Sequence, residues 1–271
     1  MSALPAQLDA PRGVPLGDHL ARVVASGRKL LVPYVTGGLR ADWTTILLAM
    51  AAAGADAIEV GLPFSDPMMD GPTIQEASST ALARGTTPSS VAAELRPLEV
   101  GVPLVVMTYA NLVLRAGTRR FAHQMATAGV RGAIVPDLPL EESATWEADA
   151  AAEGVETVLL AAPVTPEDRL ATICRRSQGF VYGVNLMGVT GERRDLASSS
   201  SVLARRLKAL TDKPVVMGFG IATPEQAVAA ARPADGVVVA SALMRMALDG
   251  ASPDAIAARV ADLRAALDSL G

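Results

Sequence analysis

The sequence has few aromatic residues and a single cysteine. Phenylalanine, tyrosine and tryptophan together make up 3% of the 271 residues, whereas hydrophobic residues of all kinds make up 50%. A core of that size must be filled by alanine, valine and leucine. Because it stands alone, Cys174 excludes an internal disulfide, and its helical surroundings indicate a core thiol in a reducing compartment.

Long apolar runs and basic clusters are missing as well. Residues 1–13 contain no apolar run of signal-peptide length, and no later run is long enough to cross a bilayer. The formal net charge of -4 and the pI near 5.3 argue against a nucleic-acid-binding face, which is normally a basic patch. These features predict a cytoplasmic protein that binds neither nucleic acid nor membranes.

The sequence contains no motif for several common metals and cofactors. No spacing resembles a zinc or iron site, and no glycine-rich dinucleotide fingerprint follows the first apolar run. Both histidines, His19 and His123, fall in helical stretches, and no lysine lies at a strand end for Schiff-base chemistry. We therefore expect no metal, and we expect carboxylates to carry any proton transfer.

What the chain does have is a regular alternation of short β-branched runs and Ala-rich amphipathic stretches. Eight such runs occur, at residues 30–35, 57–61, 104–108, 133–136, 157–161, 180–184, 215–218 and 237–240. Because they lack strict polar alternation, both faces of each strand should be covered. Eight βα units in this length predict an α/β fold, a closed (β/α)₈ TIM barrel, with a doubly wound open sheet as the alternative.

The chain is predicted to form a single domain over residues 16–271, after a flexible N-terminus at residues 1–15. Residues 16–25 are expected to form an extra N-terminal capping helix beneath the barrel. No linker-like stretch divides the rest. The run of four serines after Ala197 suggests a mobile lid.

Residues 58–73 place one carboxylate inside a strand-like apolar run and a second in the Gly/Pro-rich turn that follows. Glu59 would lose its hydration in a buried strand, a cost that folding alone does not explain. Reactive groups in such barrels lie at the C-terminal strand ends and in the following loops. Glu59 therefore suits an acid or base with a raised pKa, and Asp70 an ionised carboxylate; a helix N-cap or turn residue is the alternative for Asp70.

Three small-residue segments late in the chain predict a phosphate site. They are Gly188-Val189-Thr190-Gly191, Gly218-Phe219-Gly220-Ile221 and Ala240-Ser241-Ala242. The last loops of such barrels often bind phosphate, because free backbone N–H groups and a helix N-terminus favour negative charge. The residues alone thus predict a metal-free acid/base lyase or isomerase that acts on a phosphorylated small molecule.

Longer motifs resemble the tryptophan synthase alpha chain family. The strongest motifs are Glu59-Val60-Gly61, Pro63-Phe64-Ser65-Asp66-Pro67 and Asp70-Gly71-Pro72-Thr73-Ile74-Gln75. Further matches are Val32-Pro33-Tyr34-Val35-Thr36, Met107-Thr108-Tyr109-Ala110-Asn111 and Asp137-Leu138-Pro139-Leu140-Glu141-Glu142. The resemblance implies retro-aldol cleavage of indole-3-glycerol phosphate to indole and glyceraldehyde 3-phosphate, in tryptophan biosynthesis, by a barrel with no cofactor of its own.

The resemblance also implies roles for single residues. Glu59 matches the general acid/base, and Asp70 matches the carboxylate that accepts from the indole N–H. The matched substrate-binding positions are Tyr34, Tyr109, Tyr182, Thr190, Gly191, Phe219, Gly220 and Ser241. Ordinary core packing is the alternative for the tyrosines.

By the same resemblance, the partner is a tryptophan synthase beta chain in an alpha2beta2 heterotetramer, and pyridoxal phosphate belongs to that beta chain. The interface candidates are Asp66, Pro67, Asn111 and Pro139. Two alternatives stay open. One is a stand-alone indole-3-glycerol phosphate lyase that releases free indole for another pathway, and the other is a non-catalytic barrel that acts as a regulatory partner.

The chain departs from the family pattern in three loops. The chain reads Gly38-Leu39-Arg40 where a Gly-Asp-Pro turn is usual, and Met68-Met69 where Leu-Ala is common. Ala240 replaces the usual glycine before the phosphate-site serine. We expect these changes to affect substrate fit, partner contact and the space for phosphate.

Overall fold

The computed structural model describes residues 14–184, 193–218 and 220–270, without the side chains of residues 193–198. Eight parallel strands in this part of the chain close into one barrel in sequence order. They are β1 (Leu30–Thr36), β2 (Ile58–Gly61), β3 (Leu104–Met107), β4 (Val130–Ile134), β5 (Glu156–Ala161), β6 (Val181–Val184), β7 (Val215–Gly218) and β8 (Gly236–Val239). The predicted (β/α)₈ barrel is confirmed. A doubly wound open sheet is excluded because β1 pairs with both β2 and β8.

The helices of the described residues surround the barrel or cover its N-terminal end. They are α1 (Leu16–Ala25), α2 (Trp43–Ala52), α3 (Pro72–Ala83), α4 (Pro88–Leu95), α5 (Ala110–Ala116), α6 (Thr118–Thr127), α7 (Ala144–Ala152), α8 (Glu167–Arg176), α9 (Arg193–Leu210), α10 (Pro224–Ala231), α11 (Ser241–Leu248) and α12 (Pro253–Asp268). Proline begins α3, α4, α10 and α12, where its missing N–H has no helical partner to lose. None of the helices in the described ranges is long and apolar enough to span a bilayer.

Inward-facing strand residues fill the barrel interior. Val32, Val105, Val158 and Val216 belong to one buried cluster, which also contains residues of α1. Leu16, Leu20 and Val23 of α1 close the N-terminal end of the barrel in this way. The predicted capping helix is therefore confirmed. The flexible N-terminus predicted for residues 1–15 falls outside the described residues, except for Val14 and Pro15.

The serine run is helical, and the mobile lid suggested for it stays a prediction. The four serines after Ala197 lie within α9. Farther along this helix, Leu203, Ala204 and Leu207 are buried in a cluster with β6 and β7. Their spacing of one and four residues forms a helical stripe that holds α9 against the barrel. The helix extends back from this anchor through the polar serines.

Arg40, one of the residues that depart from the family pattern, has a structural role. Its guanidinium donates to the backbone carbonyl oxygens of Ala247 at 3.2 Å and Ala251 at 2.7 Å, and it pairs with Asp42 at 2.7 Å. A cation at the C-terminal end of a helix also meets the negative end of the helix dipole. The loop after β1 is thereby tied to the end of α11, the helix that follows β8.

Candidate active site

A cavity of about 300 Å³ opens at the C-terminal ends of the strands, where (β/α)₈ enzymes hold their reactive groups. It is shared by residues from β1, loop 2 (residues 62–71, between β2 and α3) and the last three strands. Six of the predicted site residues line it together: Glu59, Asp70, Tyr34, Tyr182, Gly220 and Ser241. A seventh, Tyr109, contacts one of these six. Thr190, Gly191 and Phe219 lie outside the described residues.

Glu59 extends into the cavity from the middle of β2. It is 1% exposed, and its Oε2 has no hydrogen-bond partner in the described part of the chain. Burial, followed by the negative charge of Asp70, raises the pKa of Glu59 to about 8. At neutral pH, Glu59 therefore carries a proton that it can donate.

Asp56, just before β2, shows what a structural carboxylate looks like in this fold. Its Oδ2 accepts the backbone N–H of Leu31 at 2.8 Å, and its oxygens pair with Arg28 at 3.1 Å and Arg264 at 3.0 Å. Buried charges are normally compensated in this way. Glu59, three residues farther along and within β2, lacks such partners among the described residues. Its carboxyl is thus left free for a ligand.

Asp70 lies in loop 2, immediately before Gly71. Because Gly71 is the N-cap of α3, the N-cap alternative for Asp70 is wrong, but Asp70 does lie in a turn, in which its backbone N–H donates to the carbonyl oxygen of Pro67 at 3.0 Å. The hydroxyl of Tyr109 donates to Oδ2 of Asp70 at 2.9 Å. Burial raises the pKa of Asp70 to about 6, and the hydrogen bond from Tyr109 opposes that rise. At pH 7, Asp70 is therefore mainly ionised while Glu59 is mainly protonated.

All three tyrosines of the chain belong to this site. Two of them need a glycine on the next strand. A Cβ placed on Gly61, at the end of β2, would lie 1.8 Å from Oη of Tyr34, and one on Gly218, at the end of β7, would lie 2.6 Å from Oη of Tyr182. Burial raises the pKa of both tyrosines well above the usual range, so both stay neutral hydrogen-bonding groups.

The described residues of two of the three predicted phosphate segments, Gly218, Gly220 and Ile221 with Ala240 and Ser241, line the same cavity, whereas residues 188–191 lie outside the described part of the chain. α11 begins at Ser241, directly after β8, so the first backbone N–H groups of this helix lack helical partners. Gly220 has a φ of 62°, a left-handed conformation that glycine adopts without strain. Ala240 lines the cavity beside them. This side of the cavity can therefore offer backbone donors to an anion.

The two histidines, which were not expected to transfer protons, lie away from the cavity. Nε2 of His19, in α1, is 3.0 Å from the backbone oxygen of Asp56 at the opposite end of β2. His123 pairs with Glu153 at 2.9 Å, on the outside of the barrel. Within residues 14–184, 193–218 and 220–270, no group of three or more His, Cys, Asp or Glu side chains could hold a metal ion.

The barrel and its pair of carboxyls define a class of protein, the (β/α)₈ enzymes with a site at the C-terminal strand ends. A family profile described as tryptophan synthase alpha chain matches residues 20–267. The chain belongs to the tryptophan synthase alpha chain family. The family predicted from the motifs is therefore confirmed.

Individual relatives agree with this assignment. Tryptophan synthase alpha chains of Gloeobacter violaceus and Gluconacetobacter diazotrophicus are 46% and 44% identical, over 87% and 92% of this chain and 85% and 95% of theirs. A structure of Mycobacterium tuberculosis tryptophan synthase has a TM-score of 0.85 at 37% identity, over 93% of this chain and 97% of that one. Tryptophan synthase subunit alpha of Legionella pneumophila has a TM-score of 0.84 at 32% identity, over 94% and 98%.

Proposed function

We propose that the chain cleaves indole-3-glycerol phosphate to indole and glyceraldehyde 3-phosphate, as the alpha subunit of tryptophan synthase in tryptophan biosynthesis. One observation carries the proposal. In a chain of this family, Glu59 and Asp70 line one cavity, and burial raises the pKa of Glu59 to about 8 but that of Asp70 only to about 6. Two carboxyls held in opposite protonation states suit a reaction that needs both a proton donor and a fixed negative charge.

Glu59 acts twice in this mechanism. Its proton is transferred to the indole ring carbon that bears the glycerol phosphate chain, which leaves Glu59 as a carboxylate. That carboxylate then takes the proton from the hydroxyl on the adjacent side-chain carbon, while the bond between this carbon and the ring breaks and the hydroxyl becomes the aldehyde. The donated proton remains on the ring carbon of indole, and Glu59 is protonated again by the hydroxyl proton, so it ends the cycle as it began.

Asp70 stabilises the charge that the first step creates. Protonation of the ring carbon leaves a positive charge on the indole nitrogen, whose N–H can donate to an ionised carboxylate. In a partly buried site such a pair is stronger than in water. The donors near Gly220 and at the start of α11 would hold the phosphate and so orient the reacting carbon.

We also propose that the chain docks on a tryptophan synthase beta chain, which holds the pyridoxal phosphate. Exposed apolar side chains in the segments that follow β2, β3 and β5 support this: Met68 is 83% exposed, Val164 80% and Leu114 59%. Docking would remove these side chains from water, which favours association. Asp66 and Asn111 are exposed on the same loop 2 and α5.

Steady-state indole formation tests the function. The purified chain is supplied with indole-3-glycerol phosphate, with and without a beta chain, and both indole and glyceraldehyde 3-phosphate are measured. The alpha-subunit proposal expects equal amounts of the two products and a higher turnover with the beta chain. Equal turnover in both conditions would favour the stand-alone lyase. Binding of the beta chain without any product would favour the non-catalytic barrel.

A further inference from the structure

Tyr109 joins Asp70 to the backbone of loop 2. Its hydroxyl donates to Oδ2 of Asp70 at 2.9 Å and accepts the backbone N–H of Met69 at 3.1 Å. The side chain is 3% exposed. One phenol oxygen therefore holds both the carboxylate and the peptide that precedes it, and Met69 itself lines the cavity.

The ring of Tyr109 is fixed from two sides. It stacks on Phe64 of loop 2, with ring centroids 5.0 Å apart and an interplanar angle of 26°. Tyr109 is also the N-cap of α5, where the next backbone N–H, that of Ala110, donates to Asp137 at 2.8 Å. The hydroxyl thus has little freedom to leave Asp70 without moving loop 2 or the start of α5.

We propose that Tyr109 is a positioning residue for the lyase reaction: its hydroxyl keeps Asp70 ionised and aimed at the indole nitrogen. The proposal rests on the proposed function, because that function gives the charge on Asp70 its role. The family resemblance places Tyr109 among the substrate-binding positions and gives its hydroxyl no role toward Asp70.

Two opposing effects set the pKa of Asp70: burial and one hydrogen-bond donor. Burial disfavours the charged form of Asp70 and raises its pKa, whereas the hydrogen bond from Tyr109 favours the charged form and lowers it. Because burial and the nearby Asp70 raise the pKa of Tyr109 itself, the phenol keeps its proton and stays a donor. Removal of the hydroxyl leaves burial unopposed, so Asp70 should take up its proton at a higher pH.

The test is Tyr109→Phe in the full chain, assayed with the beta chain across the pH range of activity. We expect turnover at neutral pH to fall about 10- to 100-fold and the acid limb of the profile to move up by about one pH unit. The Michaelis constant should change little. Phe64→Leu is the matched control: it removes the ring stack but keeps the hydroxyl, so its acid limb should stay where the wild type has it.

A second measurement does not need activity. Titration of Asp70 by carboxyl ¹³C NMR in the isolated chain should give a higher pKa in Tyr109→Phe than in the wild type. An unmoved Asp70 titration overturns the inference, as does an unmoved acid limb combined with a raised Michaelis constant, which would describe a plain substrate contact. Absence of indole formation by the wild type would instead overturn the proposed function, and the NMR titration would still decide the role of Tyr109.

Discussion

Replacement of Glu59 with glutamine should abolish turnover and stabilise the fold at the same time. Glutamine keeps the shape of the side chain but transfers no proton, so turnover should fall about 1,000-fold or more. The stability gain follows from burial: Glu59 is 1% exposed, and its Oε2 lacks a hydrogen-bond partner among the described residues. Catalytic use and folding stability therefore oppose each other at this position.

The size of the gain depends on pH. The pKa of Glu59 rises from 4.5 to about 8 on folding. Between these values the folded chain holds a proton that the unfolded chain has released, so the free energy of unfolding falls as pH rises. At about 1.4 kcal/mol per pH unit, the full penalty above pH 8 is about 5 kcal/mol, and it vanishes below 4.5. Since a buried amide retains part of the polar cost, we expect Glu59→Gln to gain about 1–3 kcal/mol at pH 8.5.

Urea unfolding followed by circular dichroism, at about pH 6 and about pH 8.5, measures this difference. The matched control is Asp56→Asn, which removes the charge of a buried carboxylate that pairs with two arginines. That variant should lose stability at both pH values. The reasoning is refuted if Glu59→Gln is no more stable than the wild type at the higher pH, or if its advantage does not grow with pH.

Three further substitutions test other parts of the site. Asp70→Asn should lower turnover about 100-fold or more, because a neutral amide cannot offset charge on the indole nitrogen; a change in the Michaelis constant alone would contradict this. Ser241→Asp should raise the Michaelis constant at least about 10-fold through repulsion of the phosphate, and an unchanged constant would count against the anion site. Gly61→Ala, whose Cβ would lie 1.8 Å from Oη of Tyr34, should lower the free energy of unfolding by about 1–3 kcal/mol; a wild-type urea midpoint would show that the tyrosine can move aside.

The barrel could be predicted from the sequence because strand and helix periods alternate so regularly. The fourth strand shows where this signal stops. We predicted it at residues 133–136, but β4 is Val130–Ile134 and includes Gly132. A Cβ on Gly132 would lie 2.5 Å from Leu16, so glycine is needed where the capping helix enters the barrel. That contact is between residues far apart in sequence, so no local sequence pattern predicts it.

The site shows the same division between local and distant information. Glu59 could be identified because a carboxylate within a short apolar run is apparent from the sequence itself. The hydrogen bond between Tyr109 and Asp70 could not be predicted from the sequence, because it depends on β2 and β3 lying side by side in the closed barrel. The difference between Asp56 and Glu59 is likewise invisible in the sequence, because the arginine partners of Asp56 come from elsewhere in the chain.

The central claim is that Asp70 is ionised and Glu59 protonated when the reaction begins. The pH dependence of kcat/KM for cleavage of indole-3-glycerol phosphate tests it most directly, because this ratio reports the ionisation of the free enzyme. We predict a bell-shaped profile that rises through a pKa of about 6, as Asp70 ionises, and falls through a pKa of about 8, as Glu59 loses its proton. A ratio that stays level across this range, or that still climbs above pH 9, would contradict the account.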